Sequence, residues 1–341
     1  MTKRGTHDNA EMIITRTPLR LEFLGGSTDI ASFYRRTPGH ILNATIDKYI
    51  HIIVKKTDRE DILFIHEKLE RVSRADELTH ERARAVLKHF HIKNGIEIVS
   101  LSDVGQGGSG LGSSSSFTVG LVHALAVFTR ARMSVRGIAE LAAHIEIDVV
   151  GAPIGKQDQF VAAFGGTNHT MYQKNGFVEV KPIRISLQKT KAFHDHLLVF
   201  RTGTTRSASA ILGDQAKREK EIFPYLKTMA GLVEPAARAF AAGDLKRFAE
   251  LLYKEWTIKK NLGPGVTNNE IETMYAKAKR AGAWGGRVSG AGGGGFLFML
   301  APQSRHGAIR RALKKYDEFP LHLTDEGTIL VLRETKETNN R

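Results

Sequence analysis

The chain has 341 residues, enough for one large domain or two, and an ordinary balance of apolar and charged residues for a globular protein. It has no cysteine, which excludes disulfides, thiolate metal sites and a cysteine nucleophile. Its formal charge is +14, yet the lysines and arginines are scattered, with no basic run interleaved with aromatics. This favours attraction of multiply phosphorylated small molecules over nucleic-acid binding.

Residues 1–11 are polar and lack the apolar core of a signal peptide, and no apolar run approaches the length of a membrane span. A cytoplasmic location is therefore expected. Short apolar or alternating runs predict strands at Met12–Arg16, Arg20–Leu24, Ile41–Ile46, Ile50–Val54 and Ile62–Ile65. Between the second and third lies Gly25-Gly26-Ser27-Thr28-Asp29, a glycine turn followed by hydroxyls and a carboxylate that suit a polyhydroxylated ligand. A β-turn with an Asx-type cap explains the same residues equally well.

A further strand at residues 96–101 runs into Gly108-Ser109-Gly110-Leu111-Gly112-Ser113-Ser114-Ser115-Ser116. Phe117, Leu121, Leu125 and Phe128 then recur at helical spacing, which puts the serines at a helix N-terminus. Free N–H groups and the helix dipole favour an anion there, and glycines allow close backbone approach. The chemistry is that of a phosphate loop. A dinucleotide fold is excluded because no second strand ending in an acidic residue follows Gly105-x-Gly107-x-x-Gly110. Gly151 to Lys156 is one residue short of a Walker A loop and lacks its hydroxyl.

The next predicted helix, Val135–Val150, carries Glu146 about 80° from the centre of its apolar stripe, at the edge of the buried face. Gly151-Ala152-Pro153-Ile154-Gly155-Lys156-Gln157-Asp158-Gln159 breaks that helix and projects Asp158 either into a cleft or onto a helix cap. Strands are expected at Val178–Ile183 and Leu197–Phe200. Helices are expected over Ala208–Phe223, Tyr225–Ala242, Leu245–Leu262 and Asn268–Ala281. Strand Phe296–Leu300, helix Ser304–Tyr316 and strand Thr328–Arg333 complete the reading. A change to helical texture places a domain boundary near residues 190–203. The glycine run of residues 285–295 implies close backbone approach, to a ligand or to the first glycine loop. His194-Asp195-His196 offers no third metal ligand, and no G-x-S-x-G elbow is present.

Taken in order, these islands resemble the GHMP family of small-molecule kinases, and within it the heptose 7-phosphate kinases. Gly110-Leu111-Gly112-Ser113-Ser114 resembles the family's ATP loop, and Ser289-Gly290-Ala291-Gly292-Gly293 its C-terminal glycine motif. Pro18-Leu19-Arg20-Leu21, Gly25-Gly26-x-Thr28-Asp29, Leu42-Asn43-Ala44-Thr45-Ile46-Asp47 and Gly155-Lys156-Gln157-Asp158-Gln159-Phe160 carry the likeness to the heptose kinases. Gln106-Gly107 departs from the aliphatic-proline pair usual before the loop.

The resemblance implies an α+β fold. It has a mixed-sheet N-terminal domain over residues 1–197 and a helix-rich α/β sandwich over 198–341. It implies a sugar 1-kinase with ATP and Mg²⁺ as cofactors, acting on the anomeric hydroxyl of heptose 7-phosphate in polysaccharide biosynthesis. Asp158 would be the base, with Arg20 keeping it ionised. Gly108–Ser116 would bind ATP, and Ser114 and Glu146 the metal. Gly26, Ser27, Thr28, Asp29 and Asp158 would contact the sugar, and Arg206 or Lys156 would anchor its phosphate. A fucose or other hexose 1-kinase and a non-catalytic sugar- or ATP-binding regulator are the alternatives. Sugar phosphate and ATP are the expected partners, not nucleic acid or membrane, and a homodimer fits the family.

Overall fold

The computed structural model describes residues 10–105, 110–203 and 208–335. The first half contains strand β1 (Ala10–Leu24), helix α1 (Ala31–Tyr34), β2 (Gly39–Lys56), β3 (Ile62–Ile65), β4 (Leu69–Val72), α2 (Glu81–His89) and β5 (Ile96–Ser102). Next come α3 (Ser113–Phe128), α4 (Val135–His144), α5 (Gln157–Phe164), β6 (Thr167–Tyr172), β7 (Val178–Pro182) and α6 (Leu187–His196). The remainder is β8 (Leu197–Arg201), α7 (Ala208–Lys217), α8 (Glu219–Ala242), α9 (Leu245–Lys259), α10 (Asn269–Arg280), β9 (Gly285–Val288), β10 (Phe296–Leu300), α11 (Gln303–Ala312) and β11 (Ile329–Thr335).

Eight strands form the larger sheet, in the order β11-β1-β2-β5-β3-β4, with β6 and β7 added on β2. All its pairs are antiparallel except β3 with β5. β2 is long enough to pair with β5 through Ile50–Lys56 and with β6 through Gly39–Ala44. The smaller sheet is antiparallel, in the order β8-β10-β9. The architecture is α+β, as the sequence implied.

Burial along β1 changes character halfway. Ile13, Thr15 and Thr17 are buried while Ile14 and Arg16 are not, the alternation of a sheet with one covered face. From Thr17 to Asp29 every residue is buried, because α3 and α5 cover one face and α8 and α9 reach this end of the strand. Pro18 marks the change. It pairs with Tyr49, whereas Leu19 pairs with Ile46, so the ladder skips residues at the one position that lacks an N–H. Sequence reading splits this strand, and likewise β2, into two because it sees only the local interruption.

Helix α8 also differs from expectation. It runs unbroken through Pro224, where the sequence suggests a break between two helices, and through Pro235, and the break falls instead at Arg218, between α7 and α8. Pro224 is the sixth residue of the helix, just beyond the first turn in which a missing donor is free, so each proline gives up one helix hydrogen bond. Buried Leu226, Met229, Val233, Ala236, Ala237 and Phe240 then hold the helix against both cores.

The cores meet at β10. Phe296, Phe298 and Leu300 join the larger apolar cluster, while Leu297 and Met299 face the second with Trp256, Met274 and Ile309. Phe23, at the end of β1, packs on Phe193, Phe240, Phe248 and Phe298, with ring centroids 5.4–5.9 Å away. The loop after β1 is thereby anchored to elements from both halves of the chain.

Candidate active site

Arg20 leaves β1 beneath the start of α3, and Asp158 opens the first turn of α5. Their side chains form a fork-to-fork pair. Arg20 Nε donates to Asp158 Oδ1 and Nη2 to Oδ2, both at 2.7 Å. Arg20 Nη1 also donates to the carbonyl of Gly110, and the Arg20 N–H to that of Leu111 at 2.9 Å. One guanidinium therefore ties Asp158 to the glycine-serine loop. Burial pushes the Asp158 carboxyl up, Arg20 opposes this, and the net position lies above the ordinary carboxylate value.

The loop after β1 supplies a second carboxylate, Asp29. The backbone N–H of Gln157 donates to its Oδ2 at 2.9 Å, and a Cβ on Gly155 would sit 2.0 Å from the same oxygen. Burial is the main cause that pushes Asp29 up to about 7, with Asp158 and Glu22 adding like-charge repulsion. Thr28 is turned away from the cleft, its hydroxyl donating to the His40 carbonyl and accepting the His40 N–H. Gly26 is glycine for space, since a Cβ there would lie 2.2 Å from Glu22 Oε1. Ser27 adopts φ +70° and donates its hydroxyl to Gln215 Oε1 at 3.0 Å.

Under this loop lies a buried quartet with no counterpart among the residues singled out from sequence. Arg287 donates to Glu22 at 2.6 Å and to Glu255 at 2.7 Å, and Lys259 donates to Glu22 at 2.9 Å. All four side chains are at most 2 % exposed. Burial lifts Glu22, but Lys259, Arg287 and Arg20 pull it further down, to about 2. The network also holds backbone. Lys259 donates to the Gly290 carbonyl at 2.7 Å, Arg287 to that of Phe23 at 3.0 Å, and the Gly25 N–H donates to Glu255. Gln157 Nε2 donates to Glu22 at 2.9 Å, which reaches the residue beside Asp158.

Among the expected phosphate-loop residues, Gly108 and Ser109 lie outside the described residues, as does Arg206. Gly110 and Gly112 take φ +71° and +77°, and Gly112 caps α3. The glycine motif packs directly on this loop. Ser289 Oγ donates to the Gly110 carbonyl at 2.9 Å, and a Cβ on Gly290 would lie 2.9 Å from Gly110 Cα. Gly292 and Gly293 press instead on Val266, and Ala291 lines the cleft. Close backbone approach is thus made to the phosphate loop, not to the turn at Gly25.

The four serines divide. Ser116 donates to the Pro18 carbonyl at 2.8 Å and Ser115 to Glu146 Oε2 at 2.6 Å. Ser113 and Ser114 line a smaller cleft beside His66, His80 and Phe117. Glu146 is fully buried, not at the edge of a face. After α4 the helix widens over Ile145–Val149, with the Val150 N–H bonded to the Ile145 carbonyl five residues back. The extra residue in that turn displaces Glu146 from the 3.6-residue register. Its carboxylate accepts from Ser115, Thr118 at 2.8 Å, Gln159 and Arg82 at 2.7 Å. The hydroxyl that meets Glu146 is that of Ser115, one residue after the expected ligand. The carboxylate and hydroxyls are the hard oxygen donors Mg²⁺ takes, and a cation, Arg82, already rests on one oxygen.

One cavity opens beside Asp158 and a larger one adjoins it. The smaller is lined by Arg20, Glu22, Asp29, Gln157, Asp158 and Lys259. It shares Ser27, Asp29, Ile30, Ile154 and Leu212 with a larger one of about 510 Å³, which continues past Tyr34, Lys156 and Gln215. Lys156 donates to the Gly176 carbonyl at 3.3 Å and stands 5.5 Å from the Tyr34 ring centroid. A glycine-serine loop at a helix start, a carboxylate joined to it through Arg20 and a cavity beside that carboxylate are an arrangement that could serve phosphoryl transfer. No helix of the described residues is long and apolar enough to cross a membrane.

Comparison with known proteins agrees with this assembly. Residues 77–166 match the GHMP kinases N-terminal domain and residues 236–318 the GHMP kinases C-terminal model. The chain is 32 % identical to D-glycero-alpha-D-manno-heptose 7-phosphate kinase of Campylobacter jejuni over 325 residues, 89 % of this chain and 93 % of that protein. It is 25 % identical to galactokinase of Pyrococcus furiosus over 88 % of this chain and 92 % of that one. In fold it is similar to a D-glycero-D-manno-heptose 1-phosphate kinase from Bacteroides thetaiotaomicron. That structure matches with TM-score 0.76 and 24 % identity, covering 93 % of this chain and 97 % of the other. The chain belongs to the GHMP kinases and is an ATP-dependent kinase of the sugar-kinase kind.

Proposed function

We propose that this kinase transfers the γ-phosphoryl of ATP to the anomeric hydroxyl of D-glycero-D-manno-heptose 7-phosphate. The product would be the 1,7-bisphosphate, a precursor of nucleotide-activated heptose for surface polysaccharide. The observation that carries this reading is the Arg20–Asp158 pair, tied by Arg20 to the Gly110 carbonyl, in a cavity that adjoins a larger one lined by Lys156. The Campylobacter relative, named for the same substrate, supports the choice of sugar.

Asp158 accepts the proton of the C1 hydroxyl as that oxygen bonds to the γ-phosphorus and the bond to the β-phosphate oxygen breaks. Each carboxylate oxygen keeps a lone pair beyond its bond to Arg20. An anomeric hydroxyl is more acidic than an ordinary alcohol, which eases its deprotonation by a carboxylate whose pKa burial has raised. Arg20 orients Asp158 and adds positive charge beside the transferring group. N–H groups at the start of α3, with the loop Gly108–Ser116, hold the phosphates. Glu146 with the neighbouring hydroxyls, Ser114 from sequence and Ser115 from geometry, would hold Mg²⁺, which neutralises phosphate charge. Ser27 and Asp29 face the sugar, and Lys156 in the larger cavity, or Arg206, anchors its phosphate. Residues 1–197 would form the first domain and 198–341 the second, with β11 returning to the edge of the first domain's sheet.

Coupled kinase assays with heptose 7-phosphate, heptose, fucose and galactose test this. Heptose 7-phosphate should give the highest kcat/KM, at least ten-fold above heptose, because a charge-assisted anchor is worth about 1.5–3 kcal/mol. Equal use of heptose and its 7-phosphate would remove the anchor and favour a plain sugar kinase.

A further inference from the structure

Two buried polar atoms in the walls of these cavities, Gln157 Oε1 and Gln215 Nε2, have no hydrogen-bond partner among the described residues. Buried polar groups are nearly always paired in native proteins, so each points to a partner that the protein alone does not supply. Gln157 is fastened to Glu22 and stands beside Asp158. Gln215 sits in the last turn of α7, across the cavity, and is 2 % exposed.

The orientation of Gln215 is set by its neighbour. Ser27 donates to Oε1 at 3.0 Å, which consumes the oxygen and leaves both N–H groups of the amide unused. Ser27 itself holds φ +70°, a conformation that L residues rarely adopt, and its hydroxyl spans from the loop after β1 to α7. A side chain that merely braced Ser27 would need only an oxygen at this position. A carboxamide adds a donor, and among the described residues that donor has no partner.

We infer that Gln215 is a specificity residue for the acceptor, its carboxamide N–H donating to an oxygen on the part of the acceptor remote from the reacting hydroxyl. The donor class follows from the chemistry. Nε2 can give hydrogen bonds only to lone pairs, so its partner is a hydroxyl or phosphate oxygen. Gln157 Oε1, beside the base, can only accept and therefore meets a hydroxyl that donates. The two amides thus read an acceptor that is a polyol near Asp158 and rich in oxygen beyond it. This rests on the sugar-phosphate kinase reading given above and assigns a residue which that reading leaves without a role.

Gln215→Glu keeps an oxygen where Ser27 bonds and replaces the NH₂ group with a second oxygen, but it adds a negative charge, so the neutral Gln215→Met is read beside it. Gln215→Met keeps the length and removes both. With heptose 7-phosphate as acceptor, both variants should raise its KM about ten-fold or more, the loss expected for one hydrogen bond to an anionic or strongly polar oxygen. The KM for ATP and the kcat at saturating acceptor should stay within about two-fold of wild type. An unchanged acceptor KM in either variant, with wild-type Tm, overturns the inference. If Gln215→Glu does not fold, Gln215→Met decides alone. A wild type that ignores heptose 7-phosphate but phosphorylates another sugar overturns the choice of substrate, and the same KM comparison is then made with that sugar.

Discussion

At the scale of single residues the proposed base is Asp158, and its two contacts to Arg20 make its replacement informative. Asp158→Asn keeps the shape and one acceptor oxygen but cannot take up a proton at neutral pH. Turnover should fall by roughly two orders of magnitude or more while the KM for ATP stays near wild type, as steady-state kinetics with both substrates will show. Asp29 makes a different demand. Its carboxyl titrates near 7 in the folded protein, against about 4 for an unperturbed Asp, so the folded state binds a proton that the unfolded state has released. That contribution is present below pH 4 and is lost as pH rises through 7. Thermal unfolding of Asp29→Asn and wild type between pH 5 and 8 should show the variant gaining in relative stability as pH rises. Parallel Tm curves would show that Asp29 is ionised throughout.

Arg20, Asp158 and Asp29 are legible in the sequence because each stands in a short motif whose glycines and order are distinctive. Glu22 stands between the first two of these motifs and Arg287 in the glycine run of residues 285–295, yet nothing local distinguishes a buried charge from a solvated one. Their partners Glu255 and Lys259 sit one turn apart on α9, more than 230 positions after Glu22, and look like an ordinary helix-surface pair. Gln215 is hidden for a related reason, since only the folded chain shows that its amide is spent on one side and idle on the other.

Among the elements, the turn between β9 and β10 and the loop before α3 are closed on each other by glycines. Gly290 takes φ +72°, and its missing Cβ leaves room for Gly110 Cα and carbonyl 2.9 Å away. Gly290→Ala introduces both left-handed strain and an overlap with backbone, which cannot swing aside as a side chain can. It should cost about 1–3 kcal/mol of stability by denaturant titration and raise the KM for ATP more than that for the acceptor. An unaltered KM for ATP would mean that the turn does not support the phosphate loop. The widened turn holding Glu146 shows where periodicity fails as a guide. Sequence reading at 100° per residue put this carboxylate on the rim, whereas one additional residue in the turn carries it fully inside.

For the whole molecule, the quartet of Glu22, Glu255, Lys259 and Arg287 joins the two sheets where their cores meet. Arg287→Met leaves two buried carboxylates with Lys259 alone, a loss of roughly 3–5 kcal/mol on the scale of broken buried ion pairs. Urea unfolding measures it directly, and a change below about 1 kcal/mol would mean that water reaches the cluster. Replacing all four by apolar residues should cost far less stability than Arg287→Met alone, yet lower kcat, since Gln157, Gly25 and Gly290 would lose their common support.

β11 pairs with the outer edge of β1 through Ala10–Arg16, although more than 300 residues separate the two partners. On a ribosome that order matters. The first strand emerges early and waits, its outer row of N–H and C=O groups open, until nearly the whole chain has been made. A nascent or prematurely terminated chain ending before Ile329 presents that edge to any similar neighbour. Crowded polysomes translating this message are thus the setting in which β1 is most exposed to pairing between chains, and slow synthesis of the second half prolongs the exposure.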